Sequence, residues 1–224
     1  MWALALIPAA IVIFLAVLIV RASAFKPKKQ PELDTYEVNV DKEKAAADLA
    51  ELVRCKTVSY RDPSLEDDAE FEKLIALLPS LYPNVFKTCE FTKLPDRGLL
   101  FRYPGKSGDS PAVMMAHYDV VPIEEAGWDK PAFEGILEDG FLWGRGTLDT
   151  KGTLCGVVEA LEYLLGKGYV PEQDLYLSFS GDEEVSGTSC PAIVDYLEEK
   201  GIKPAIVVDE GGAVVENVFP GVKG

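Results

Sequence analysis

Residues 112–119 read AVMMAHYD, an apolar run that passes directly into a histidine, a tyrosine and an aspartate. Two later stretches have the same arrangement. Residues 175–184 read LYLSFSGDEE, and residues 205–212 read AIVVDEGG. Short apolar runs bounded by polar and glycine-rich segments are typical of strands buried in a sheet that is covered on both faces. The sequence therefore predicts three strands that each end in ionisable side chains.

Segments with helical periodicity lie between the predicted strands. Apolar residues recur at helical spacing over 154–165 and over 192–199. The same spacing predicts two earlier helices, at 46–53 and 71–78, with Pro79 closing the second. This alternation indicates an α/β fold, with a mostly parallel or mixed sheet and helices on both faces. Ligand sites in such sheets lie beyond the carboxyl ends of the strands, so we expect the three ionisable clusters to meet in one crevice.

Composition and charge narrow the class of protein. The 224 residues carry 37 acidic and 22 basic side chains, a formal net charge of −15. Nucleic acid is not an expected partner, because phosphate binding needs a basic face. The cysteines lack Cys-x-x-Cys spacing, so we expect buried or reduced thiols rather than disulfides or metal ligands. They are Cys55, Cys89, Cys155 and Cys190.

The first twenty residues form an uncharged apolar segment. A helix of that length is about 30 Å long, the thickness of the hydrocarbon core of a bilayer. Residues 1–25 are therefore predicted to be a membrane anchor or a signal segment. The small-x-small pattern at 22–24 supports cleavage, but the apolar run outlasts a typical signal core and favours a single-pass anchor that contacts the membrane through residues 1–20.

The residues that follow the apolar segment indicate the membrane orientation of the protein and the start of its main domain. Basic side chains follow the apolar segment and favour a cytoplasmic body, while an extracytoplasmic body remains the alternative. They are Arg21, Lys26, Lys28 and Lys29. Residues 26–40 mix proline with charge and are predicted to be a linker, with the main domain starting near residue 41.

Carboxylates that meet in one crevice repel one another, and a divalent cation neutralises them. His117 adds an imidazole, which favours zinc over calcium or magnesium, with cobalt or manganese as substitutes. Asp119 lies two residues further on, so strand geometry places it on the same side as His117, where it can hold one ring nitrogen. Taken alone, a single histidine is usually a core or surface residue whose ring nitrogens are hydrogen-bonded. The Glu183–Glu184 pair, taken alone, is typical of a solvent-exposed loop. Their convergence favours the metal site.

Four blocks occur in order along the chain. They are AHYDVVP at 116–122, GRGTLDTKG at 144–152, GDEE at 181–184 and VDEGG at 208–212. These blocks resemble the zinc aminoacylase and carboxypeptidase family, which includes glutamate carboxypeptidase and the desuccinylases, and most of all the carboxypeptidase S and N-acyl amino acid amidase type. The resemblance runs from about residue 41 to the end. It implies that residues 41–224 are the first part of a metallohydrolase catalytic domain with a zinc-exopeptidase fold.

Position by position, the resemblance implies a centre with two zinc ions. The implied metal ligands are His117, Asp149, Glu184 and Asp209, with Asp149 bridging the two ions and Glu184 on the ion that His117 does not bind. Glu183 is implied as the general base for a water shared by the metals, and Asp119 as the residue that orients His117. The implied activity is that of a membrane-anchored amide hydrolase acting on a small peptide or an N-acyl amino acid. Arg102, Arg145 and Lys151 are predicted to be structural or surface cations rather than substrate ligands.

The resemblance also implies a part that this sequence does not contain. Family members interrupt the catalytic domain with a smaller dimerisation or lid domain, after which further strands and a histidine complete the second zinc site. His117 is the only histidine here, so we expect a truncated portion of such an enzyme, and a homodimer only if the missing domain is present. The alternative is an inactive relic or partner module that binds one metal through His117, Asp149 and Asp209.

Overall fold

A computed structural model describes residues 2–26 and 38–211, and the chain divides into two compact units at residues 1–39 and 40–224. Most of the predicted linker, together with Gly212 of the last motif block, lies outside the described residues. The first unit contains helix α1 (Trp2–Ala24). Its window Ile7–Ala24 has a mean hydropathy of 2.4 and is long and apolar enough to cross a membrane, a criterion that signal sequences also meet.

The second unit contains the elements that the strand and helix patterns predict, with additions. Its helices are α2 (Lys42–Val53), α3 (Asp68–Leu81), α4 (Pro83–Thr88), α5 (Lys151–Gly166) and α6 (Ser189–Glu199). Its strands are β1 (Glu90–Leu94), β2 (Gly98–Tyr103), β3 (Ser107–His117), β4 (Ile136–Glu138), β5 (Phe141–Trp143), β6 (Gln173–Ser180) and β7 (Ile206–Val208). The pair β1 and β2 and the hairpin of β4 and β5 were not predicted.

Helix α3 ends later than the sequence predicts. Pro79 lies inside its last turn, and the helix continues to Leu81. A proline removes one backbone donor and crowds the preceding turn, but the amide of Tyr82 still donates to the carbonyl of Leu78 at 2.9 Å, so the helical pattern continues past Pro79. The prediction that Pro79 closes the helix is therefore wrong by two residues, and α4 begins at Pro83.

Five strands form a mixed sheet in the order β1-β2-β6-β3-β7. β3 pairs in parallel with β6 on one side and with β7 on the other, whereas β2 is antiparallel to both β1 and β6. In the register of β3 and β6, His117 lies opposite Ser180. Because the three parallel strands run in the same direction, the segments that follow them emerge at one edge of the sheet.

Side-chain alternation along the strands builds two cores on opposite faces of the sheet. The larger core joins one face to α2, α3, α4 and α5, and its buried residues include Leu99, Phe101, Leu177, Phe179 and Leu154. The smaller core joins the other face to α6 through Leu100, Val113, Tyr176, Ile193 and Leu197. The predicted arrangement of helices on both faces is confirmed.

The larger core depends on apolar contacts from α5. Leu154 is fully buried there, and its replacement by alanine leaves a cavity that the surrounding side chains fill only partly. We expect Leu154→Ala to lower the free energy of unfolding by about 2–5 kcal/mol, measured by chemical denaturation of the full chain. Leu148→Ala is the matched control, because Leu148 is 89% exposed. Equal losses in the two variants would contradict this packing.

Candidate metal centre

His117 ends β3 and is almost completely buried, with 1% of its surface exposed. Its Nδ1 lies 3.0 Å from the backbone oxygen of Asp119 and 3.3 Å from Asp119 Oδ1. A backbone carbonyl oxygen can only accept a hydrogen bond, so Nδ1 carries a proton, and Nε2 is the nitrogen that faces the carboxylates and could bind a metal. The strand end thus presents one oriented nitrogen donor to the crevice.

Carboxylates from three separate segments surround His117 Nε2. Asp149 Oδ1 lies 3.1 Å away, Glu210 Oε1 3.2 Å and Glu183 Oε2 3.8 Å. Ligand atoms of His117, Asp149 and Glu184 lie within 4.8 Å of one another, and so do those of His117, Glu183 and Glu210. One imidazole nitrogen with several carboxylate oxygens is a donor set that suits zinc. The predicted meeting of the strand ends is confirmed.

The crowding of these acids changes the proton affinity of the imidazole. Burial alone would lower the pKa of His117, but the hydrogen bond and charge of Asp119, with the charges of Glu210 and Glu183, outweigh burial and raise it to about 9. Burial and then the charge of Asp149 raise the pKa of Glu184. The site therefore favours added positive charge, which is the electrostatic requirement of a cation site.

Asp119 is fully buried and connects two strand ends. Its Oδ1 accepts a hydrogen bond from the amide of Glu183 and its Oδ2 one from the amide of Glu184, both at 3.1 Å. Oδ2 also accepts from Ser59 Oγ at 2.7 Å. Burial alone would raise the pKa of Asp119, but the hydrogen bonds from His117 and Ser59 and the charge of His117 hold it below its usual value. Asp119 thus lies against Nδ1 of His117 and also fixes the turn after β6.

Asp182 fixes the other end of that turn. Its Oδ2 accepts hydrogen bonds from the amides of Thr188 at 2.8 Å and Ser189 at 3.1 Å, where α6 begins. A carboxylate at this place satisfies amide donors that a helix leaves free at its start. The GDEE block therefore contains one structural acid, Asp182, followed by two acids whose side chains are free to face the crevice.

The loop that carries Asp149 is fixed by the first residues of α5. Lys151 is fully buried, and its Nζ donates to the carbonyls of Leu52 at 3.0 Å and Cys55 at 2.5 Å. At Gly152 a β-carbon would lie 2.1 Å from the carbonyl oxygen of Thr147, so only glycine fits this close backbone approach. Asp149 itself is 61% exposed and points into the crevice from this anchored loop.

Of the three cations for which the sequence predicts structural or surface roles, two make structural contacts. Lys151 binds backbone carbonyls in the interior, and Arg102 pairs with Asp174 at 2.8 Å and with Glu90 at 3.0 Å. Arg145 stacks over the ring of Trp128, with 5.3 Å between its guanidinium carbon and the ring centroid. Its Nε is buried and has no hydrogen-bond partner among the described residues. The four cysteines are free thiols, as predicted.

The segment after β7 places Glu210 rather than Asp209 next to His117. Asp209 lines a crevice of about 310 Å³ with His117 and Glu183, but it belongs to neither group of converging ligands among the described residues. It accepts a hydrogen bond from the amide of Glu210 at 2.9 Å. Sequence reasoning missed Glu210, although it stands one residue along in the same block. Adjacent residues of an extended segment point to opposite sides, so the sequence does not decide which acid faces inward.

The sequence of this chain is similar to a known peptidase family and to curated hydrolases. Residues 113–223 match the sequence profile of Peptidase family M20/M25/M40. The human N-fatty-acyl-amino acid synthase/hydrolase PM20D1 is 37% identical over 158 residues, which are 69% of this chain and 31% of that protein. Carboxypeptidase S of Saccharomyces cerevisiae is 34% identical over 182 residues, which are 75% of this chain and 32% of that protein. The chain thus spans about a third of the length of these curated relatives.

Solved structures share the fold of the second unit. Human carnosine dipeptidase 1 superposes with a TM-score of 0.64 at 15% identity, covering 78% of this chain and 39% of that one. An M20 family metallo-carboxypeptidase from Sulfolobus solfataricus superposes with a TM-score of 0.60 at 21% identity, covering 76% and 38%. These TM-scores show a common fold, and the α/β architecture predicted from the sequence is confirmed.

The close backbone approach between Gly152 and Thr147 fixes the loop that carries Asp149. In Gly152→Ala the new methyl group has to displace the backbone of Thr147, which moves Asp149 away from His117. We expect Zn²⁺ to bind at least about tenfold more weakly, a loss typical of residues that support metal ligands, measured by competition with a chromophoric chelator.

Gly156→Ala in the same helix is the control for that substitution. A β-carbon at Gly156 meets no atom within 4 Å, and alanine is favoured over glycine in a helix. We expect Gly156→Ala to leave Zn²⁺ affinity unchanged. Wild-type affinity in Gly152→Ala would show that the loop does not position Asp149.

Proposed function

Because this chain belongs to Peptidase family M20/M25/M40, we propose that it is a dizinc amide hydrolase. The observation that carries the proposal is the convergence on His117 Nε2, where Asp149, Glu210 and Glu183 approach within 3.1 to 3.8 Å. We propose a peptide or an N-acyl amino acid as substrate, since one relative is named for hydrolysis of fatty-acyl amino acids and another as a carboxypeptidase. Both kinds of substrate contain an amide bond next to an amino acid.

The proposed ligands divide between two ions. His117 and Asp209 would hold one, Glu184 would hold the other, and Asp149 would donate to both, with Glu210 as the alternative to Asp209 because of its 3.2 Å distance from Nε2. Zinc, when bound, polarises a substrate carbonyl and lowers the pKa of water. The chain contributes the fixed placement of these donors, which it holds on the ends of β3 and β6 and on the loop before α5.

Glu183 is the proposed general base. Its amide is tied to Asp119, while its side chain is 53% exposed and reaches to 3.8 Å from His117 Nε2. A carboxylate at this place can take a proton from the attacking water and return it to the leaving amine. Asp119 keeps His117 in one orientation throughout, because both of its oxygens are committed to donors.

One observation favours a second candidate, a module that binds a single metal. Both ligand groups among the described residues share His117, so these residues offer one nitrogen donor for one ion. Metal analysis of the purified full chain separates the two candidates. Two zinc ions per chain with amidase activity support the dizinc hydrolase, whereas one ion without turnover supports the single-metal module.

We propose that α1 anchors the protein in the membrane as a single pass. The apolar window Ile7–Ala24 supports this proposal, and the basic residues that follow it favour a cytoplasmic second unit. A cleaved signal segment is the alternative. The first-unit helix plays no part in the proposed chemistry, because the proposed ligands all belong to the second unit.

Two substitutions separate catalysis from metal binding. Glu183→Gln removes the proposed base but keeps the side-chain shape and the amide that binds Asp119. We expect Zn²⁺ binding to be retained and the amidase rate constant kcat to fall by a factor on the order of 10² to 10⁴. The measurement is kcat on N-acyl amino acids and peptides, with metal content determined on the same preparation.

Asp149→Ala provides the contrast to Glu183→Gln. Asp149→Ala removes a carboxylate that would donate to both ions, so we expect Zn²⁺ to be lost together with activity. A Glu183→Gln variant that keeps its full rate would refute the assignment of the base. Full zinc occupancy in Asp149→Ala would refute the bridging role.

A further inference from the structure

We propose that Ser59 is a positioning residue for the metal centre. Its hydroxyl fixes the carboxylate of Asp119, and through Asp119 it sets both the ring of His117 and the turn that carries Glu183 and Glu184. The inference rests on the proposed function, because it concerns how the proposed metal ligands and base are held. Ser59 belongs to none of the motif blocks that predict the site.

Ser59 is itself held in one place by the backbone. The segment 57–59 runs in parallel beside residues 118–120, with a bridge between Val58 and Val120. The amide of Ser59 donates to the carbonyl of Val120 at 3.0 Å, and the amide of Val120 donates to the carbonyl of Thr57 at 2.9 Å. Ser59 is 1% exposed and Asp119 is 0% exposed, so solvent has little access to replace the hydroxyl.

The contact from Ser59 is the shortest of those made to the Asp119 side chain. Oδ2 accepts from Ser59 Oγ at 2.7 Å and from the amide of Glu184 at 3.1 Å. Oδ1 accepts from the amide of Glu183 at 3.1 Å and lies 3.3 Å from His117 Nδ1. The terminal torsion of an aspartate is soft, so these contacts determine how the carboxylate is rotated. Loss of the Ser59 contact leaves Oδ2 with only the longer contact from the amide of Glu184, so the carboxylate is held less tightly against His117 and the turn.

A neighbouring residue, Thr57, allows the positioning role of Ser59 to be distinguished from general support of the segment 57–59. Thr57 Oγ1 donates to the backbone carbonyl of Tyr118 at 2.5 Å, and Thr57 is also fully buried. Thr57 and Ser59 each contribute one buried hydroxyl to the same three-residue segment. Only the hydroxyl of Ser59 reaches the group that orients His117. The two residues therefore form a matched pair.

The experiment compares Ser59→Ala with Thr57→Val in the full chain. The first measurement is Zn²⁺ affinity by chelator competition, and the second is hydrogen exchange of the Glu183 and Glu184 amides in metal-free protein. In Ser59→Ala we expect Zn²⁺ affinity to fall by about 10- to 100-fold, the range for residues behind metal ligands, and both amides to exchange faster. In Thr57→Val we expect neither change. Ser59→Cys, which retains only a weak donor, is measured in the same way if the alanine variant does not fold.

The outcomes distinguish this inference from the proposed function. If Ser59→Ala changes affinity and exchange no more than Thr57→Val does, Ser59 only supports the segment and the inference is wrong. If the wild-type chain binds no Zn²⁺ but the amides respond to Ser59→Ala as expected, the proposed function fails and the positioning role stands. If the wild-type chain binds zinc and hydrolyses amides while both variants match it, the function stands and the positioning role fails.

Discussion

The hydrogen bonds of one buried carboxylate hold the centre together. Asp119 lies beyond the end of β3, yet its oxygens accept from two amides in the turn after β6 and from a hydroxyl in the segment after α2. A buried charge is costly unless donors surround it, so these three segments are stable only when they meet at this group. The orientation of His117 follows from this arrangement, because its ring faces the same carboxylate.

The sheet supplies the remainder of the geometry. Parallel pairing of β3 with β6 and β7 brings three strand ends to one edge, and the two cores cover β3 and β6 from both faces. The end of β7 is the least constrained of the three, because this strand is short and its three residues are exposed. Asp209 and Glu210 follow this strand, which explains why they are the positions where motif and geometry diverge.

The predictive power of the sequence differs from segment to segment. The run AVMMAHYD predicted β3 and the place of His117, since an apolar run this short, followed at once by ionisable residues, fits a buried strand better than a helix. The antiparallel pair β1 and β2 was missed although Pro95 to Gly98 form a turn signal between the strands, because β1 is short and largely exposed and so lacks an apolar run. Ser59 was beyond reach, because its partner Asp119 is 60 residues away and no local pattern indicates the contact. The roles of the predicted ligands and of Glu183 stay predictions.

The bonds from Asp119 to the turn end on main-chain amides, and every residue type other than proline supplies such an amide. The shape of the turn is thus insulated from the side chains at 183 and 184. During evolution, substitutions at these two positions can abolish or alter catalytic activity while leaving the fold intact. A descendant that has lost turnover would fold like its active ancestor, so shape alone is a poor record of activity in such a lineage.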